Sequence, residues 1–80
     1  MATPSDKLGP FLLAARRAKK FSLRDVEADT GISNAYLSQL ETGKIREPSP
    51  ANLHKLSELY SVAYSLLLAL AGYPVPGRVG

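Results

Sequence analysis

Gly31-Ile32-Ser33 is the stretch that most constrains how this chain can fold. Gly closes a helix in the left-handed conformation, and Ser at an N-cap opens the next one. With stop and start this close, the two flanking helices must meet in a tight turn. The upstream helix opens at Ser22-Leu23-Arg24-Asp25, a capping box with Asp in place of Glu. It carries Val26 on its apolar face and is too short to persist alone, because helix nucleation is costly. It therefore has to pack against neighbours. The downstream helix spans Asn34 to Thr42, with Gly43 just past its end.

Three further helices follow from the same kinds of signal. The first covers about Asp6 to Lys19, with Ser5 as its cap and Leu8, Phe11, Leu12 and Ala15 at helical spacing. Pro10 falls in its opening turns, where a missing N–H costs least. Arg16, Arg17, Lys19 and Lys20 suit the negative pole at its C-terminal end. The fourth begins at Ser49-Pro50, an N-cap followed by Pro at the first helical position. Leu53, Leu56, Leu59 and Tyr60 form its buried stripe. The fifth covers about Tyr64 to Ala71 and stops at Gly72. Residues 74–80, rich in Pro and Gly, are expected to form an irregular tail or the start of a linker, leaving 1–73 as the domain. No strand pattern and no repeat occurs. The expected fold is all-α, a compact five-helix domain. Its second and third helices, joined by a tight Gly-containing turn, form a helix-turn-helix.

Composition removes several function classes. A chain of 80 residues is sized for one domain, and without cysteine it has neither a disulfide framework nor a thiolate metal site. No apolar run approaches the roughly 18 residues of a membrane span. The N-terminus lacks the charged and apolar regions of a signal peptide, so a cytoplasmic location is expected. His54 is alone, no Ser/His/Asp set has a supporting motif, and no Gly-rich phosphate loop is present. The expectation is a protein with no catalysis, no metal and no cofactor.

The charge is mildly basic, +3 with a pI near 9.5, and it is unevenly spread. RRAKKFSLR, residues 16–24, holds five bases and no acid, and Lys44 and Arg46 form a second basic group. Two solvated helix ends would explain this. So would two phosphate clamps, provided that the fold sets them on one side.

The helix from Asn34 to Thr42 has two unlike faces. Leu37 and Leu40, with Ile32 before them, can lock it into the domain. Asn34, Ala35, Ser38 and Gln39 offer small or amide side chains with no acid among them. Asn and Gln can each donate to and accept from an adenine edge in the major groove, and Ala suits a thymine methyl. Ser33 and the free N–H groups of the first turn can face a phosphate, and the Tyr36 hydroxyl can reach the DNA backbone.

SLRDVEADTGISNAYLSQLETGK, together with PSPANLHKLSELY and LLLALAGY, resembles the lambda repressor/Cro-type family, also called the xenobiotic-response-element (XRE) type. The resemblance covers about residues 7–73. It implies a sequence-specific transcriptional regulator, a repressor, that binds double-stranded DNA in a bacterium or phage. The third helix would be the recognition helix, with base contacts from Asn34, Ala35, Ser38 and Gln39. Backbone contacts would come from Ser22, Arg24, Ser33, Tyr36, Lys44 and Arg46. Arg16 and Glu41 match a pair that often forms a partly buried ion pair in this family. Two positions depart from the pattern. Glu27 stands where the family usually has Ala, so its carboxylate must extend outward or find a donor. Lys20 stands where a Gly is usual, and its charge could serve a phosphate.

The fifth helix is apolar nearly all round. Tyr64, Leu67, Leu68 and Ala71 can face the core, which leaves Leu66, Leu70 and Tyr73 without cover. They either pack under the tail or against the first helix, or they form a homodimer interface. A two-fold dimer would set two recognition helices about 34 Å apart and imply a palindromic operator. The alternative is an antitoxin-like or adaptor module that keeps the fold and binds a protein through the fifth helix.

Overall fold

The computed structural model describes residues 4–74. It holds five helices: α1 (Pro4–Ala18), α2 (Leu23–Thr30), α3 (Asn34–Glu41), α4 (Pro50–Tyr60) and α5 (Tyr64–Leu70). No strand occurs among the described residues. The irregular tail expected over 74–80 lies outside them, apart from Pro74.

Each helix contributes to one core. Leu8 and Leu12 come from α1, Val26 from α2, Leu37 and Leu40 from α3, Leu53, Leu56 and Tyr60 from α4, and Leu67 and Leu68 from α5. Ile32 fills the space inside the α2–α3 turn and Ala71 closes the end of α5. Burying each large apolar side chain contributes roughly 1.5–3 kcal/mol. That holds together helices as short as seven and eight residues, which have no stability of their own. α1 packs on α3 and α5, α2 on α3 and α4, and α4 on α5.

The helix starts follow local chemistry. Ser22 Oγ accepts from the Asp25 N–H at 3.0 Å while the Asp25 carboxylate accepts from the Ser22 N–H at 2.8 Å, a complete capping box. The bond from the Ser22 backbone N–H is the main cause that holds the Asp25 carboxyl below its usual range. Ser33 and Ser49 cap α3 and α4 through the N–H groups of Tyr36 and Asn52. α1 departs from expectation, because it starts at Pro4 and places Ser5 within the helix rather than at its cap. Pro10 thus lies inside the helix and not in its opening turns. It is exposed, and its ring leaves one carbonyl of the preceding turn without a backbone donor.

All five helices are followed by a residue with positive φ: Lys20, Gly31, Gly43, Ser61 and Gly72. Lys20, where the family usually has Gly, adopts φ 62°, and the Phe21 N–H reaches back to the Arg16 carbonyl at 3.1 Å. Ser61 does the same at φ 57°, with the Val62 N–H bonded to the Ser57 carbonyl at 3.0 Å. A non-Gly residue in this region costs about 1 kcal/mol, which the satisfied carbonyls and the packed helices on either side outweigh.

Candidate nucleic-acid interface

The turn between α2 and α3 is braced by one side chain that sequence reasoning missed. Thr30 Oγ1 donates to the Val26 carbonyl at 2.7 Å and accepts from the Ile32 N–H at 3.1 Å. Gly31 takes φ 77°, where a side chain would be strained, and its N–H bonds to the Glu27 carbonyl at 2.8 Å. Ile32 is buried beneath. The relation of α2 to α3 is therefore set by backbone, hydroxyl and core together. Thr at this position, one residue before the Gly, was the available signal.

From this turn α3 projects with its faces divided. Leu37 and Leu40 are each 2% exposed, whereas Asn34, Ala35, Ser38 and Gln39 are all exposed. Thr42 continues the outer side and folds its hydroxyl back onto the Ser38 carbonyl at 3.0 Å. No acid occupies the outward positions. Glu41, the acid at the end of α3, turns inward, its side chain 8% exposed.

Glu41 is held by Arg16. Arg16 Nε donates to Oε2 at 2.7 Å and a second guanidinium nitrogen donates to Oε1 at 3.0 Å. This is the bidentate geometry in which Arg pairs most strongly with a carboxylate. The bond to Glu41 raises the Arg16 pKa, and burial opposes it. The remaining guanidinium nitrogen donates to the Phe21 carbonyl at 2.9 Å. One side chain thus joins the end of α3 to the α1–α2 turn. The first basic stretch is thereby tied, through Arg16 itself, to the residue three before Lys44.

Gly9 was also missed. A Cβ there would meet the Glu41 backbone, with its carbonyl carbon at 2.9 Å and the Leu40 carbonyl oxygen at 2.9 Å. The absence of a side chain lets α1 lie directly on the end of α3.

The residues expected near phosphates share a common state. Lys20, Arg24, Lys44 and Arg46 are exposed. The hydroxyls of Ser22, Ser33 and Tyr36 each accept a backbone N–H, from Asp25, Tyr36 and Ser49 respectively. A hydroxyl that accepts keeps its own proton to donate, so all three are oriented and still able to bind an oxyanion. Lys19 is drawn elsewhere, its Nζ 3.4 Å from Ser61 Oγ. Glu27 is half-buried, and among the described residues its carboxylate makes no hydrogen bond or ion pair. It finds no donor at α3, yet α2 and α3 remain packed together.

On α5, Leu66 is 41% exposed, Leu70 half-buried and Ala69 exposed, as is Ala63 just before the helix. Tyr73 is half-buried, and its hydroxyl donates to the Pro48 carbonyl at 2.8 Å. His54 is exposed and stacks edge-on against Tyr64, with ring centroids 5.1 Å apart. Among the described residues no group of His, Cys, Asp or Glu is placed to hold a metal ion, and no helix is long and apolar enough to cross a membrane.

A braced turn, a capped second helix and an acid-free outer face together define a helix-turn-helix domain. Comparison with known proteins makes this specific. A family model described as helix-turn-helix matches residues 12–67, and the chain belongs to this family, of the XRE type. Relatives in it are named as transcriptional regulators. The regulator RghRB of Bacillus subtilis (strain 168), named as uncharacterized, is 38% identical over 65 residues, 81% of this chain and 47% of that protein. The transcriptional repressor RghR of the same organism is 34% identical over 68 residues, 85% of this chain and 50% of that protein. A cyanate hydratase of Synechococcus sp. (strain CC9311) is 31% identical over 80 residues, 99% of this chain and 53% of that protein. That likeness covers part of the hydratase and assigns no reaction to this chain. The chain spans about half the length of the curated relatives it matches. No solved structure matches it significantly.

Proposed function

We propose that this chain binds double-stranded DNA sequence-specifically, as the reading domain of a bacterial or phage transcriptional repressor in the cytoplasm. The observation that carries the reading is the outer face of α3. Asn34, Ala35, Ser38 and Gln39 are exposed side by side, and the one acid on the helix is neutralised inside by Arg16. A helix of this kind can enter the major groove, where phosphates would repel an outward carboxylate.

In this reading Asn34 and Gln39 bond base edges, Ala35 meets a thymine methyl, and Ser38 allows close approach. Ser22, Ser33 and Tyr36 donate to phosphate oxygens, and Lys20, Arg24, Lys44 and Arg46 supply charge. The chain does this without a cofactor and without catalysis. Exposed Leu66 on α5 supports pairing of two copies, which would bind a palindromic operator. The same residue is the one observation that favours docking of a different protein there instead.

A gel-shift on the protein's own upstream region, against a shuffled duplex, tests the reading. The unaltered chain is expected to prefer the upstream DNA. Gln39→Ala is expected to lose about 1–3 kcal/mol of that preference at one base step while keeping its binding to the shuffled duplex. Equal loss on both duplexes would remove Gln39 from the reading role. No preference in the unaltered chain would remove the function.

A further inference from the structure

The segment between α3 and α4 is fastened at both ends and carries Lys44 and Arg46 between them. At its start the Lys44 N–H donates to the Gln39 carbonyl at 2.9 Å. In its middle Ile45 packs against the core. At its end both polar atoms of a single peptide group are taken by tyrosines. The Tyr73 hydroxyl donates to the Pro48 carbonyl at 2.8 Å, and the Ser49 N–H donates to the Tyr36 hydroxyl at 3.1 Å. A trans peptide is planar and points its C=O and N–H in opposite directions, and no peptide here is cis. The two rings therefore hold the Pro48–Ser49 group from opposite edges. Pro48 is itself fully buried, and Ser49 caps α4 immediately afterwards.

One of these tyrosines belongs to α3 and already stands among the residues proposed to meet phosphate. The other comes from beyond α5 and lies in no part of the DNA-reading surface. We propose that Tyr73 is a positioning residue for DNA-backbone binding. By holding the Pro48–Ser49 peptide it keeps the segment before it in the shape that aims Lys44 and Arg46 at phosphates. The proposal rests on the DNA-binding reading of this chain. Its physical basis is preorganisation: cations on a fixed segment reach phosphate without the ordering cost that a loose one pays on binding. It also gives Tyr73 a partner in its own subunit, where the sequence left packing under the tail, packing against the first helix and a dimer interface all open.

Phosphate contacts act on any sequence, so a short mixed-sequence duplex is a sufficient probe. Fluorescence anisotropy over a series of potassium chloride concentrations would compare four proteins. These are the unaltered chain, Tyr73→Phe, the double variant Lys44→Ala/Arg46→Ala, and the triple variant combining them. Tyr73→Phe keeps the packed ring and loses only the hydroxyl. The double variant is expected to flatten the slope of log affinity against log salt by about two, roughly one per lost phosphate contact. Tyr73→Phe is expected to bind several-fold more weakly, with a slope between those of the unaltered chain and the double variant. In the triple variant the hydroxyl's loss is expected to change nothing further, because its route of action is gone. Amide exchange at Lys44 is expected to speed up in Tyr73→Phe, a readout that needs no DNA. An unchanged slope in Tyr73→Phe, or the same fold-loss with and without Lys44 and Arg46, overturns the proposal alone. No salt-dependent binding by the unaltered chain overturns the DNA-binding reading and this proposal with it.

Discussion

Arg16 and Glu41 have side chains only 13% and 8% exposed, and each satisfies the other. Removal of one leaves a charge that is neither paired nor well solvated. Arg16→Met or Glu41→Gln is therefore expected to cost about 3 kcal/mol, measured as a fall in the denaturant midpoint at constant slope. Replacing both with apolar residues should cost less than the sum of the singles, because no charge is then stranded. Tyr60 stands close enough to feel the same pair. Burial is the main cause that pushes its phenol from 10.0 to about 12, with a smaller contribution from the charge of Glu41 and an opposing one from Arg16. The folded protein thus keeps this proton where the unfolded chain loses it. Stability from this group is complete below pH 10 and declines as pH rises toward 12. Denaturant midpoints across that interval should fall, and Tyr60→Phe should reduce the fall.

At the scale of elements, the angle of α3 is set at three places. Its start is tied to α2 through Thr30 and Ile32. Its end is tied to α1 through Arg16. Between α1 and that end nothing intervenes at Gly9, where a Cβ would lie 2.9 Å from the Leu40 carbonyl oxygen. The obstacle is backbone, not the movable tip of a side chain, so one helix must shift. Gly9→Ala is expected to destabilise the fold by about 1–3 kcal/mol, read by thermal or chemical unfolding. In the DNA-binding reading it should also weaken the preference for operator over shuffled DNA, because α3 is then seated at a different angle. A Gly9→Ala variant with unchanged stability would show that α1 and α3 are less tightly apposed.

For the whole molecule the exposed side of α5 bears on how many copies act together. Leu66 is the large apolar side chain left exposed on α5, at 41%. If α5 joins two copies, the unaltered chain should sediment as a dimer at concentrations where Leu66→Glu sediments as a monomer. The variant's melting temperature at low concentration should be unchanged, because Leu66 contributes little to its own core. A monomer in both cases would leave each copy to bind one half-site on its own.

Much of this protein is legible in its residues because the signals are local. Ser22 with Asp25, Ser33 and Ser49-Pro50 open α2, α3 and α4 through bonds that span a single turn, and Gly31, Gly43 and Gly72 follow the ends of α2, α3 and α5. The core positions follow from helical spacing, and Asn34, Ala35, Ser38 and Gln39 fall on the opposite face for the same geometric reason. Ser5 misled because a cap-type residue does not stop a helix from starting earlier, at Pro4. Ser61 gave no warning, because a serine is read as a cap or a surface residue and its left-handed φ of 57° shows only in the fold. The contacts that aim the site are of another kind. Gly9 against Leu40 and Glu41, Thr30 across its turn, and two tyrosine hydroxyls on the Pro48–Ser49 peptide depend on where separate helices come to rest. Short-range hydrogen bonding and periodicity are written along the chain, so the sequence by itself determined the helices, their order and the face available for reading. Distances between elements arise only when the core closes, so the tertiary structure alone decided how α3 is seated and what holds the basic segment beside it.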